Sequence, residues 1–167
     1  MSNIFEGCFN LKYLNVSNFI TSNVFNMSGM FSSCSSLHSL DLSNFDTSNI
    51  ISFSKFLDNC TALRIIKINN IKTDSALDMS YMFHNCKALS SINLSNYNTN
   101  KVRNMSGLFK GCESLSYLDL SHFETENVID MSYMFHNCSK LTNINISSFE
   151  TYNVKNMSNI FYNCQNL

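Results

Sequence analysis

Seven cysteines, Cys8, Cys34, Cys60, Cys86, Cys112, Cys138 and Cys164, divide this chain, and every interval between them is 26 residues. A spacing that regular means each 26-residue stretch solves the same folding problem. The chain therefore reads as an array of equivalent units. It has 167 residues, enough for one ordinary domain, so residues 1–167 are expected to form one unit of about six to seven coils.

Other positions fall into register with the cysteines. Three residues after each stands Leu, from Leu11 to Leu167. Six after come Leu14, Leu40, Ile66, Ile92, Leu118 and Ile144, and eight after come Val16, Leu42, Ile68, Leu94, Leu120 and Ile146. Eleven after comes an aromatic residue or Ile, as in Phe19, Phe45, Ile71 and Tyr97. Thirteen after is Thr in every copy, from Thr21 to Thr151. Sixteen after is Val or Ile, with Ala76 the exception.

The pattern Leu-x-x-Leu-x-Leu-x-x-Phe is that of a leucine-rich repeat with an aromatic residue where many such repeats carry Asn. Its alternating part, as in Leu40-Asp41-Leu42, has the period of a strand. One strand per coil, stacked in parallel, predicts neighbours ~4.8 Å apart. Ahead of each cysteine the period changes. Met27, Met30, Phe31 and Cys34 are spaced i, i+3, i+4, i+7, as are Met131, Met134, Phe135 and Cys138. That spacing predicts a short helix with all four on one face. Asn26, Asp78, Asn104, Asp130 and Asn156 stand where N-caps belong. The third copy departs most: Phe53, Phe56 and Leu57 replace Met, Met and Phe, so local repacking is expected there. The expected architecture is an α/β repeat solenoid, a leucine-rich-repeat-like stack. A parallel β-sheet lies on one face, short helices lie on the other, and no distinct capping repeat is evident.

Composition narrows the functional classes. The formal net charge is −1, without the clustered basic face that nucleic acid demands. No run of 18 apolar residues encodes a membrane span. There is no Pro, and Gly numbers only four, so Asn is expected to set the turns. The glycines look scattered and form no phosphate loop. No Ser-His-Asp arrangement stands out, and a non-enzymatic chain without cofactor is expected.

Met27-Ser28-Gly29-Met30-Phe31-Ser32-Ser33-Cys34, followed by Leu40-Asp41-Leu42-Ser43-Asn44-Phe45-Asp46-Thr47, resembles the BspA-like leucine-rich-repeat surface proteins. The resemblance covers the whole chain. It implies a cell-surface or secreted protein that adheres to host or matrix proteins, and it brings no catalytic residues. The start Met1-Ser2-Asn3-Ile4-Phe5-Glu6 lacks the features of a signal peptide, which makes a cytoplasmic protein or a piece of a longer one the alternative expectations. Both ends fall on repeat positions. This suggests a second reading: a structural building block that stacks end to end or sits in a larger assembly.

Among candidate sites, the cysteines lack the short pairs of a zinc site and are expected to form a column of buried free thiols. His84 and His136 share a register two coils apart, too far for one metal, and a solvated helix face is expected for them. Asn-x-Ser/Thr sequons occur at Asn15, Asn26, Asn59, Asn93, Asn104, Asn137, Asn145 and Asn156, and abundance of Asn and Ser accounts for them. The best candidate for binding a protein partner is the solvent side of the strand. Its members are Tyr13, Ile65 and Tyr117 five residues after a cysteine, and Asn15, Asp41, Lys67, Asn93, Asp119 and Asn145 seven after. Tyr13, Ile65 and Tyr117 are the bulky anchors.

Overall fold

A coil of 26 residues has to change direction several times, and this one does so without proline. In the computed structural model, which describes residues 1–167, each coil lies on the next in parallel. Bridges join Asn26, Ser52, Asp78, Asn104, Asp130 and Asn156 in one unbroken column. A second ladder lies where the Leu-x-Leu alternation predicts strands. β1 (Ser39–Asp41) pairs with β2 (Ile65–Lys67), and β3 (Tyr117–Asp119) pairs with β4 (Asn143–Asn145). Partners differ by one repeat, as in Leu40 opposite Ile66. The expected sheet is thus two short parallel pairs, interrupted at Ser91–Asn93, and the continuous ladder runs elsewhere.

The expected helices are absent. The segment from Met27 to Cys34 is a run of tight turns in which the amides alternate between two kinds of partner. Met27, Gly29, Phe31 and Ser33 donate to the carbonyls of Ser52, Ser54, Phe56 and Asp58 in the next coil, at 2.6–3.2 Å. Met30, Ser32 and Cys34 donate back to Met27, Gly29 and Phe31 in their own coil. A helix would satisfy every amide internally. Here half of them tie the stack together.

Two left-handed residues per coil make this possible. Gly29 and Ser33 have φ of 61°, and the same two registers hold Lys55 and Asn59, Tyr81 and Asn85, and Tyr133 and Asn137. A left-handed residue other than glycine costs roughly 1–2 kcal/mol, which rules out a regular right-handed helix at those points. The four glycines are not scattered: Gly7 and Gly111 occupy one of these registers, Gly29 and Gly107 the other. At Gly107 space matters as well, because the ring of Tyr81 lies where a Cβ would stand. Asn takes the left-handed position at Asn3, Asn59, Asn85, Asn137, Asn159 and Asn163, so it does set turns.

The i, i+3, i+4, i+7 spacing still places its residues on one face. Met27, Met30, Phe31 and Cys34 are fully buried against the Leu row of Leu37, Leu40 and Leu42. The Phe31 register stacks along the axis. Phe83 and Phe109 lie 5.6 Å apart at 5°, and Phe109 and Phe135 lie 5.9 Å apart at 5°. In the third coil Leu57 interrupts this column, and Phe56 meets Phe31 edge-on at 5.3 Å instead. Thr21, Thr47, Thr73, Thr99 and Thr125 are buried and serve the stack, whereas Thr151 in the last coil is exposed. Thr47 Oγ1 donates to the Lys72 carbonyl at 2.9 Å and accepts the Lys72 amide at 2.8 Å. Thr21, Thr73, Thr99 and Thr125 donate in the same way.

Candidate binding surfaces

β-strands alternate their side chains, so the residues flanking the buried Leu40 and Leu118 and the half-buried Ile66 point outward. Tyr13 is 79 % exposed, Ile65 63 % and Tyr117 53 %. Ser39 and Ser91 lie between them, so the bulky groups stand two coils apart on a polar ground. Beside Tyr117 a shallow open pocket of about 250 Å³ is lined by Ile92, Asn93, Leu94, Ser95, Asp119 and His122. His122 Nε2–H donates to the Leu94 carbonyl at 2.8 Å, which fixes its ring.

The column seven residues after cysteine has a role the sequence reading did not foresee. The Oδ1 atoms of Asn15, Asp41, Asn93, Asp119 and Asn145 accept the amides of Ser17, Ser43, Ser95, Ser121 and Ser147, at 2.9–3.2 Å. These are turn-forming bonds that follow the Leu-x-Leu segment in five of the coils. Lys67 is the odd member, and its Nζ meets Asp41 Oδ2 at 2.9 Å. The Ser43 hydroxyl, with Lys67, pulls the Asp41 carboxyl down to about 2. Ser121 pulls Asp119 down in the same way.

The same chemistry accounts for six of the eight sequons. Besides Asn15, Asn93 and Asn145, Asn26, Asn104 and Asn156 accept the amide of the Ser two residues on. Ser106 adds its hydroxyl to Asn104 Oδ1 at 2.8 Å. The Asn-x-Ser recurrence is therefore a turn signature. The residues expected as helix N-caps do cap a turn, though no helix follows.

The histidines are less solvated than the sequence suggested. His84 Nδ1 lies 2.6 Å from Asp58 Oδ1, with both side chains mostly covered. His136 stacks on Tyr162 at 4.9 Å, and its Nδ1 is buried without a partner. Burial and the nearby Lys110 lower its pKa. The thiols are free, and five of the seven are fully buried. No group of three or more His, Cys, Asp or Glu side chains is gathered as metal ligands.

One surface was missed. Nine residues before each cysteine stand Phe25, Ile51, Leu77, Arg103, Ile129 and Lys155, all exposed. The signal was present in the sequence. Val24-Phe25, Ile50-Ile51 and Val128-Ile129 are consecutive apolar pairs in extended chain, and adjacent side chains there point to opposite sides. Val24 is half-buried and Ile50 and Val128 are buried, so the second residue of each pair faces water.

Two overlapping stretches of the chain, residues 1–93 and 77–167, each match one family. No curated protein and no solved structure matches the chain. The two stretches together span every coil, and the chain belongs to the family described as "Mycoplasma protein of unknown function, DUF285", a family of repeat proteins.

Proposed function

We propose that this chain is a non-enzymatic protein-binding module of a surface or secreted protein, a relative of the BspA-like leucine-rich-repeat proteins. The observation that carries the proposal is the set of three exposed bulky residues, Tyr13, Ile65 and Tyr117, on an otherwise polar strand face. Large amphipathic side chains on a rigid repeat surface are what binding hot spots are made of. Asn and Ser between them supply hydrogen-bonding groups at low desolvation cost. The Asn and Asp column behind them holds the turns and so keeps the anchors in place.

The test uses the purified chain on immobilised matrix proteins, such as collagen and laminin, read by surface plasmon resonance. Saturable binding is expected. The pair Tyr13→Ala and Tyr117→Ala should weaken it by about tenfold, roughly 1.4 kcal/mol. The melting temperature should stay unchanged, since both side chains project into solvent. Binding that survives both substitutions overturns the assignment of this face, and absence of saturable binding overturns matrix adhesion.

A further inference from the structure

A second surface carries an inference that does not depend on the Tyr13 and Tyr117 face. The register of Phe25, Ile51, Leu77, Arg103, Ile129 and Lys155 forms a single-file stripe along the stack. Its residues are immediate neighbours, because the Ile51 amide donates to the Phe25 carbonyl at 2.9 Å, Leu77 to Ile51 at 2.8 Å and Arg103 to Leu77 at 2.9 Å. Ile129 and Lys155 continue the ladder at 2.8 Å each. The four apolar members are 39–60 % exposed. Scattered exposed apolar residues are ordinary, but three on successive rungs form a continuous strip.

The backbone under the stripe is already hydrogen-bonded from coil to coil. A partner therefore meets side chains and has no open strand edge to extend. The rungs are ~4.8 Å apart, close to the ~5.4 Å pitch of an α-helix. One face of a helix laid along the stack presents a side chain to each rung, and the mismatch over five intervals is only ~3 Å. An extended peptide repeats on one face every ~6.8 Å and falls out of step after two rungs.

Charge divides the stripe into halves. Phe25, Ile51 and Leu77 are flanked by Asn23, Asn49 and Ser75. Arg103 and Lys155 are joined by Lys101, which lies with Arg103 and Leu77 around a shallow open pocket. None of these three cations has a carboxylate within ion-pair distance, whereas Lys67 and Lys87 do. Asp78 and Asp130, which follow Leu77 and Ile129 in the chain, direct Oδ1 at the amides of Ser80 and Ser132. Three unpaired cations on one half favour carboxylates there.

We propose that this stripe docks an amphipathic helix of a partner protein, apolar where it meets Phe25, Ile51 and Leu77 and acidic where it meets Arg103 and Lys155. A membrane surface is the competing occupant. A strip one residue wide suits a rod better than a plane.

The experiment is fluorescence anisotropy of the purified chain with designed helical peptides of about 18 residues, about 27 Å long. One carries Leu opposite the apolar rungs and Glu opposite the cationic ones, and a control carries Lys in place of Glu. The Glu peptide should bind saturably and at least about tenfold more tightly than the Lys peptide. The double variant R103E and K155E should reverse that preference, a gain a misfolded chain does not produce. The pair Ile51→Ser and Leu77→Ser should weaken both peptides. The variant with Tyr13→Ala and Tyr117→Ala should bind as the parent does, which separates this surface from the strand face. No binding, equal affinity for the two peptides, or a preference unmoved by the charge reversal overturns the proposal. Capture by phosphatidylserine vesicles that the Glu peptide does not compete away overturns it in favour of a membrane.

Discussion

The thiol of Cys60 donates a 3.1 Å hydrogen bond to the carbonyl oxygen of Phe31, one coil back along the stack. Cys86, Cys112 and Cys138 repeat the bond to Leu57, Phe83 and Phe109 at 3.1–3.3 Å. The periodic cysteine is therefore both a small apolar filler and a weak inter-coil donor. Its sulfur points at a backbone oxygen of the neighbouring coil, and no two thiols are bridged.

Thiol reactivity should follow from that geometry. Cys8 and Cys164 are half-buried, and the five central cysteines are sealed. In native protein an alkylating reagent should label Cys8 and Cys164 first, with the other five reacting only after unfolding. Mass spectrometry of the labelled peptides reads the order. Early labelling of Cys86 or Cys112 contradicts a sealed column.

Stability should fall in mild alkali. Burial lifts the Cys34 thiol from the ordinary 9.0 to about 11 and that of Cys138 to about 12, and Cys86 and Cys112 are also pushed up. These groups stay neutral in the fold and ionise sooner in the unfolded chain. Their contribution is whole below 9.0 and is lost as the pH rises through about 11. Melting temperatures across that window should drop, and Cys34→Ala with Cys138→Ala should flatten the decline. The same slope in that double variant places the effect elsewhere.

The buried threonines should be less replaceable than their exposed counterparts. Thr47→Val keeps the shape but strands both the amide and the carbonyl of Lys72, which Thr47 now serves. Each stranded buried group costs about 1–3 kcal/mol. Urea unfolding should show a lower midpoint at constant slope for Thr47→Val. Thr47→Ser, which keeps the hydroxyl, should lose much less.

Much of the core was legible because burial imposes period. The Leu row, the Phe register and the four-residue face of Met27, Met30, Phe31 and Cys34 are where the spacing puts them. The helix was not there because the same spacing serves a tight-turned coil equally well. The sign of φ at residues 29 and 33 decides between them, as does the partner of every second amide, which belongs to the next coil. Neither is visible within one repeat. The Cys-based register did carry a clue: all four glycines fall on the two left-handed positions. The turn role of the column seven after cysteine was hidden for a related reason, since Asn15 and Asp41 are exposed yet engaged by the backbone two residues on.

Lys55 tests the left-handed registers directly. Its φ is 58°, and Gly29, one coil back, and Gly107, two coils on, hold the same register. Replacement by Gly removes roughly 1–2 kcal/mol of left-handed strain and costs about 0.5–1 kcal/mol of chain entropy. Lys55→Gly should therefore stabilise the chain by about 0.5–1 kcal/mol. Gly107→Ala should destabilise it, because it adds strain and displaces Tyr81. Calorimetric melting of the two variants should shift in opposite directions.

Asp41 separates the turn from the surface. Its Oδ1 accepts the Ser43 amide, and its Oδ2 meets Lys67. Asn15, Asn93 and Asn145 make the equivalent turn without a charge, so the turn needs the oxygen and not the carboxylate. Asp41→Asn should leave the melting temperature nearly unchanged near neutral pH, since an exposed ion pair contributes little. Asp41→Ala removes the acceptor and should lower it. Equal melting of the two variants contradicts the turn role. If Asp41→Asn keeps the fold and still weakens a protein partner, the charge itself is part of the contact, and the strand face reads its partner through the Asp41–Lys67 pair as well as through Tyr13 and Tyr117.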